Sequence, residues 1–339
     1  DDQIAMLDEA KRLGMSVEYI ELGNELWDVR SIYPDVYPSG TDYAKAMNSW
    51  IPELRERFGD VQIAVSGADP SDEFFAKVFG ERFQTWNDEV LATIEGADAL
   101  AIHPYWTLPD RVDPGSDVAA TLTAGLDAWT DFTETTLPAI PDGMGVWLTE
   151  WNQAAWASDA GTQIWAQALS VAAVAMHQAG NPRIEMSLVH NIVDGEPNPH
   201  DAGISTTFPA FTDGAGGSEV LAKTALGHVL PLLFAAVSPG STVQILSVPD
   251  GPSIGARPAV VALQISGDVP GAVFVNSSDT AVEVRLPAGM PGKWALTTLS
   301  ARADSQPGWV AGDAPDVARS TATGSVMLPA YSIARAAKH

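Results

Sequence analysis

The stretch YIELGNELW, residues 19–27, decides how this sequence is read. Tyr19 to Leu22 alternate as the two faces of a strand do. The strand then runs straight into Asn24, Glu25 and Trp27. Ahead of it, DQIAMLDEAKRL (residues 2–13) places Ile4, Leu7, Ala10 and Leu13 on one helical face, with Gly14 as the stop. Beyond it the pattern repeats. Helical spacing covers residues 43–58, 74–79, 83–94, 118–136, 162–178 and 218–233. Strands are predicted at VQIAVSG (61–67), ADALAIHPYW (97–106), GVWLTEWN (145–152) and IEMSLVHNI (184–192). Strand and helix thus alternate to about residue 235. Parallel strands joined by crossover helices follow from that order, because parallel neighbours need a long return connection. Either a doubly wound sheet or a (β/α) barrel satisfies it. No Gly-rich phosphate loop follows any strand, which removes the usual reason for a nucleotide site.

After Pro239 the texture changes. TVQILSV, AVVALQIS, GAVFVNSS, AVEVRLP, KWALTTLS and GSVMLPAYSIARA are short runs separated by Gly, Pro, Asp and Ser. They predict an antiparallel β-sandwich. The chain therefore divides into an α/β region at 1–238 and a sandwich at 239–339.

Bulk properties narrow the function. The 339 residues carry 43 acidic against 18 basic side chains, a formal charge of -25. That field repels nucleic acid and anionic membrane surfaces alike. No run reaches the roughly 20 apolar residues of a membrane span. With no cysteine, disulfides, thiolate metal sites and cysteine nucleophiles are excluded. The expected setting is secreted or periplasmic, with no signal peptide in this chain.

In parallel α/β architectures chemistry collects at the C-terminal strand ends. Here the first strand ends in Asn24, Glu25 and Trp27, and the second in Ser66 and Asp69. The third offers His103, Tyr105 and Trp106, the fourth Glu150, Trp151 and Asn152, and the fifth His190 and Asn191. Two glutamates far apart in sequence stand beside aromatics and amides. Glycosidic cleavage needs such a pair: one carboxyl to protonate the leaving oxygen, the other to attack the anomeric carbon or activate water. Trp50, Trp129, His177 and His228 fall on helical faces and read as packing. No His/Asp/Glu spacing suits a metal, and Ser66 lacks a nucleophile-elbow context.

ELGNELW, AIHPYW and VWLTEWN, in that order, resemble the fourth, sixth and seventh strands of clan A glycoside hydrolases, and the spacing resembles families 39, 51 and 79. The resemblance implies a (β/α)8 TIM-type barrel, of which strands four to eight lie in this chain, plus a C-terminal antiparallel β-sandwich. It implies a retaining hydrolase of plant or algal cell-wall poly- or oligosaccharide, with no cofactor and no metal. Glu25 would be the acid/base and Glu150 the nucleophile, about 5–5.5 Å apart. Asn24 would hold the neighbouring sugar hydroxyl, and Tyr105 would orient Glu150. Trp27, His103, Trp106, Trp151, Asn152, His190 and Asn191 would line the substrate site. Two departures stand out. His190 and Asn191 replace the Trp that often floors the subsite. Three strands would be expected before residue 1, from upstream sequence or a companion chain. Cations near the strand ends are few, Arg30 and Arg111, which disfavours a uronate. The rival readings are a carbohydrate-binding protein lacking catalysis and a polysaccharide lyase.

Overall fold

The computed structural model describes residues 2–108, 117–154, 164–190, 192–194, 211–214, 218–238, 240–248, 251–287, 290–301 and 315–338. Asn191 and Arg111 lie outside the described residues. The chain forms two compact units. The first comprises Asp1–Pro104, Thr130–Trp151 and Arg183–Leu188; the second comprises Tyr105–Trp129, Asn152–Pro182 and Val189–His339.

In chain order the elements begin α1 (Asp2–Arg12), β1 (Tyr19–Leu22), α2 (Tyr33–Val36), α3 (Gly40–Phe58), β2 (Gln62–Ser66), α4 (Glu73–Phe79), α5 (Glu81–Leu91), β3 (Ala99–Ala101), β4 (Tyr105–Trp106) and α6 (Val118–Asp131). They continue with α7 (Leu137–Ala139), β5 (Gly145–Gln153), α8 (Trp165–Ala179) and β6 (Ile184–Val189). A π-turn at Phe132–Thr136 joins α6 to α7.

The first unit is built on parallel strands. β1 pairs with β2, β2 with β3, and β3 with β5, all in parallel; β6 pairs with β5 as well. Side chains alternate across the sheet. Ile20, Leu22, Ile63, Val65, Leu100, Val146 and Leu148 form one buried set. The opposite set holds Glu21, Ala64, Ala99, Ala101 and Trp147, four of which form a small core cluster with Met186 against it. The alanines leave room on that face. The register sets Glu21 beside Ala64 and Ala101 beside Trp147. α3 begins at Ser39, whose hydroxyl accepts from the Asp42 N–H, the N-cap arrangement that satisfies an orphan donor. Its buried Tyr43, Met47, Ile51 and Leu54 recur at three- and four-residue steps, the stripe of an amphipathic helix.

β3 and β4 act as one interrupted strand. Ala101 faces Trp147, whereas Tyr105 faces Asn152, so residues 102–104 run beside the longer stretch 148–151. Pro104 has no N–H to give a ladder. The resulting bulge re-aims side chains on both strands, and it contains His103 and Glu150.

The second unit continues with β7 (Val193–Asp194), β8 (Phe211–Gly214), β9 (Ser218–Lys223), α9 (Ala225–Phe234), β10 (Thr242–Leu246), β11 (Ser253–Ile254), β12 (Arg257–Pro258), β13 (Val260–Ser266), β14 (Gly271–Asn276) and β15 (Val282–Arg285). It ends with β16 (Trp294–Ser300), β17 (Asp316–Ala322), β18 (Ser325–Leu328) and β19 (Ser332–Lys338). A six-stranded antiparallel sheet runs β10-β13-β14-β19-β16-β17, and β15 pairs with β18. One face of the large sheet packs on the β15/β18 pair through Phe274, Trp294, Leu296, Val326 and Leu328. α8 and α9 cover the other, contacting β13, β14 and β19. Every residue of β14 is consequently buried.

Two elements differ from the sequence reading. Residues 218–233 are not one helix. β9 pairs antiparallel with β8, and the helix starts only after Thr224, whose hydroxyl caps it by accepting from the Gly227 N–H. A short Val-Leu run fits either period, and pairing decided it. β6 ends at Val189, short of the predicted Ile192, and exposes Glu185, Ser187 and Leu188. Among the described residues no helix is long and apolar enough to cross a membrane.

Candidate active site

The strand β1 stops at Leu22, and the turn after it builds the site. Gly23 has φ 100°, and a Cβ there would meet Leu26 Cδ1 at 2.6 Å. Glu25 also takes a left-handed backbone, φ 50°, a conformation that costs a non-glycine residue on the order of 1 kcal/mol. The surroundings hold it. The Tyr43 hydroxyl donates to the Leu22 carbonyl at 2.6 Å and accepts from the Ser66 N–H at 2.9 Å. Arg82 donates to the Leu26 carbonyl at 2.8 Å and stacks on Trp86. The Trp27 indole N–H donates to the Gly67 carbonyl at 2.9 Å.

His103 sits at the break between β3 and β4 with its side chain 5% exposed. Its Nδ1 lies 3.1 Å from Glu25 Oε1 and 3.8 Å from Glu150 Oε2. Its Nε2 lies 3.0 Å from Thr149 Oγ1 and 3.8 Å from Glu21 Oε1. Three carboxyl groups, on β1, in the turn after it and on β5, therefore surround one imidazole. Burial alone would push the His103 pKa down. The hydrogen bond to Glu25 and the charges of Glu150, Glu25 and Glu21 outweigh it, and the pKa is raised. Burial raises the Glu21 pKa, only partly offset by His103 and a hydrogen bond from Thr149. Opposite charge and desolvation are here in direct competition.

Glu25 and Glu150 keep about a quarter of their side chains exposed, at 26% and 27%, so a ligand can reach both. Glu25, His103 and Glu150 each offer one atom that could ligate a cation, all within 4.8 Å of one another. That same distance brings one oxygen of each carboxylate within 4.8 Å of the other.

The remaining sequence candidates divide. Asn24 is exposed beside Glu25. Trp27 does not face solvent: it is 3% exposed, with its ring 4.8 Å from those of Phe79 and Phe83. The apolar ridges of α4 and α5 claim it as core. Trp151 is 1% exposed and offers no face to a substrate. In the second unit Trp106 is buried against α6, where a Cβ on Gly125 would meet its ring at 2.9 Å. Asn152 is fully buried, and its Nδ2 donates to the His190 carbonyl at 2.8 Å, which fastens β5 to the end of β6. Tyr105 stands edge-on to the His190 ring, centroids 6.2 Å apart.

Sequence reasoning missed Glu21, Thr149 and Arg82. The signal for Glu21 was present. In Tyr19-Ile20-Glu21-Leu22 the odd positions share a face, and the next odd positions are Gly23 and Glu25.

No family model matches the chain, and no curated protein does. Solved structures do. An α-L-arabinofuranosidase from Thermotoga maritima, in complex with arabinose, superposes with TM-score 0.59 at 14% identity, covering 94% of this chain and 65% of that one. A family 51 α-L-arabinofuranosidase from Bifidobacterium longum gives 0.63 at 15%, covering 94% and 66%. The catalytic domain of a GH30 xylanase from Talaromyces cellulolyticus gives 0.57 at 13%, covering 98% and 65%. The fold is shared with clan A glycoside hydrolases. This chain spans just under two thirds of the length of each of these.

Proposed function

We propose that this chain carries the catalytic carboxylates of a retaining glycoside hydrolase. One observation carries the reading: Glu25, in the turn after β1, and Glu150, on β5, present oxygens within 4.8 Å of each other. Retaining enzymes hold their carboxyl groups about 5–5.5 Å apart, whereas inverting ones need about 6.5–9.5 Å to admit a water. A closest approach of the two carboxylates within 4.8 Å supports the shorter class.

Glu150 attacks the anomeric carbon as the bond to the leaving oxygen breaks, and Glu25 gives its proton to that oxygen. A glycosyl ester on Glu150 results. Water then loses a proton to Glu25 while its oxygen attacks the anomeric carbon, which frees Glu150. Between the two steps Glu25 is an anion and then an acid again, and His103 at 3.1 Å is the group it leans on in both states. Asn24, exposed next to Glu25, is placed to hold the neighbouring hydroxyl. Arg30 is paired with Asp28 at 2.9 Å, which leaves it poorly suited to a uronate. A neutral plant or algal cell-wall glycan is the substrate class, outside the cell, on a (β/α)8 barrel. Among the described residues β1 is an edge strand of its sheet, where a companion segment could add a further strand.

Product analysis by NMR and kinetics with an activated aryl glycoside test this. Glu150→Ala and Glu25→Gln are each expected to lower turnover by about 10²–10⁴-fold or more, with azide restoring turnover in Glu150→Ala as a glycosyl azide. Unimpaired turnover in either variant overturns the assignment. An unsaturated product absorbing in the near ultraviolet replaces it with a lyase.

A further inference from the structure

Glu21 has no role in the double displacement, yet it is drawn into the same group of side chains. It lies on the face of β1 where its strand neighbour is Ala64 and the core beyond is Ala99, Ala101 and Trp147. An apolar surface of small residues is a costly place for a carboxylate. Its side chain keeps 24% exposure and stands 3.8 Å from His103 Nε2. Thr149 Oγ1 lies 3.0 Å from the same Nε2.

Two oxygens face Nε2, the Thr149 hydroxyl at 3.0 Å and Glu21 Oε1 at 3.8 Å. Each can accept, so a ring hydrogen on Nε2 suits both. Nδ1 is left to face Glu25 Oε1 at 3.1 Å: a hydrogen on Nδ1 donates to that oxygen whether Glu25 is the acid or the anion, and the proton given to the leaving oxygen, and later taken from water, is carried on the other carboxyl oxygen.

We propose that Glu21 and Thr149 are positioning residues that act through His103 to set the Glu25 carboxyl for proton transfer. The series Glu21, Thr149, His103, Glu25 fixes the ring nitrogen that donates away from the site and so defines the one that faces it. This rests on the reading of Glu25 as acid/base. It also explains how Glu25 keeps one orientation although its backbone is strained and its side chain is partly open to water.

Two measurements separate this from simple structural support. The first is leaving-group dependence. Thr149→Val and Glu21→Gln should leave kcat/KM within about threefold of the parent protein for a dinitrophenyl glycoside, whose phenolate departs without a proton. Each should lower it about 10- to 100-fold for an alkyl glycoside, which needs one. Thr149→Ser, retaining the hydroxyl, should restore the alkyl rate. Equal losses with both leaving groups, or no loss with either, overturn the relay. The second needs no turnover. In ¹⁵N spectra of the labelled protein, with His103 assigned by His103→Gln, the ring should show a protected Nε2–H that Thr149→Val removes. An unchanged ring signature in that variant overturns the relay whatever the enzyme hydrolyses. Failure of Glu25→Gln and Glu150→Ala to affect turnover strikes instead at the reaction assigned to the site.

Discussion

Buried polar side chains serve opposite ends in the two units. In the antiparallel sheet of the second, Asn276 is fully buried at the end of β14. Its Nδ2 donates to the Thr280 carbonyl at 2.9 Å and the Pro329 carbonyl at 2.7 Å, and its Oδ1 accepts from the Ser278 N–H at 3.0 Å. Its partners are mostly main-chain groups, and the amide is used up in joining two turns. In the first unit Glu21, Glu25, Thr149 and Glu150 are arranged around His103, and their partners are one another's side chains. A polar group saturated by backbone locks a fold. Polar groups that face each other, with more carboxylates than the one imidazole can balance, keep protons to exchange.

Three experiments sharpen that contrast, beyond those on the carboxylates. The largest effect is expected in the second unit's core. Phe274 is fully buried between β15/β18 and the rest of its sheet. Phe274→Ala should cost about 3–5 kcal/mol, read from the urea midpoint, with turnover per folded molecule unchanged. Next, Asn276→Ala should cost about 1–3 kcal/mol, since it strands main-chain carbonyls away from water. Glu150→Ala, which removes a carboxylate rather than a saturated amide, should leave the midpoint unmoved or higher. A midpoint lowered as much by Glu150→Ala as by Asn276→Ala would break the comparison.

The smallest effect concerns Asp72, which caps α4 by accepting from the Phe75 N–H at 2.9 Å. Burial is the main cause that raises its pKa from 3.8 to about 6, with Asp69 adding to it. The folded value is above the unfolded one, so the fold prefers the neutral form. Its stabilising contribution is full below pH 3.8 and is lost as pH rises through about 6. Asp72→Asn keeps the cap and cannot ionise. The fall in unfolding midpoint between pH 4 and 7 should shrink by on the order of 1 kcal/mol.

Much of the first unit was legible because apolar spacing reports directly on which face of an element is buried. The strands β1, β2, β3 and β5 and the helices α3 to α6 between them follow from period alone; the single turn α2 does not. So does the placing of Glu25 just past a strand and Glu150 near the end of another. Trp27 and Trp151 were not legible. A Trp beside a strand end is equally suited to a sugar and to a core, and Phe75, Phe79 and Phe83, some fifty residues on, settled the matter for Trp27. Asn152 was misread for the same reason: its partner is a main-chain carbonyl far along the chain. Glu21 was overlooked because a single charge inside an apolar run looks like an interruption, although alternation placed it on the face that Glu25 continues.

By itself the sequence determined the order of elements, the change from parallel to antiparallel pairing after the helices end, and the two strands that carry glutamates. Those depend on local periodicity and on crossover length. Only the tertiary structure decided that β3 lies between the two glutamate-bearing strands, as the order β1-β2-β3-β5 shows. That neighbour relation, and the bulge opposite Pro104, put His103 between Glu25 and Glu150. Sheet order and register are set by packing across the whole unit, and no stretch of chain encodes them alone.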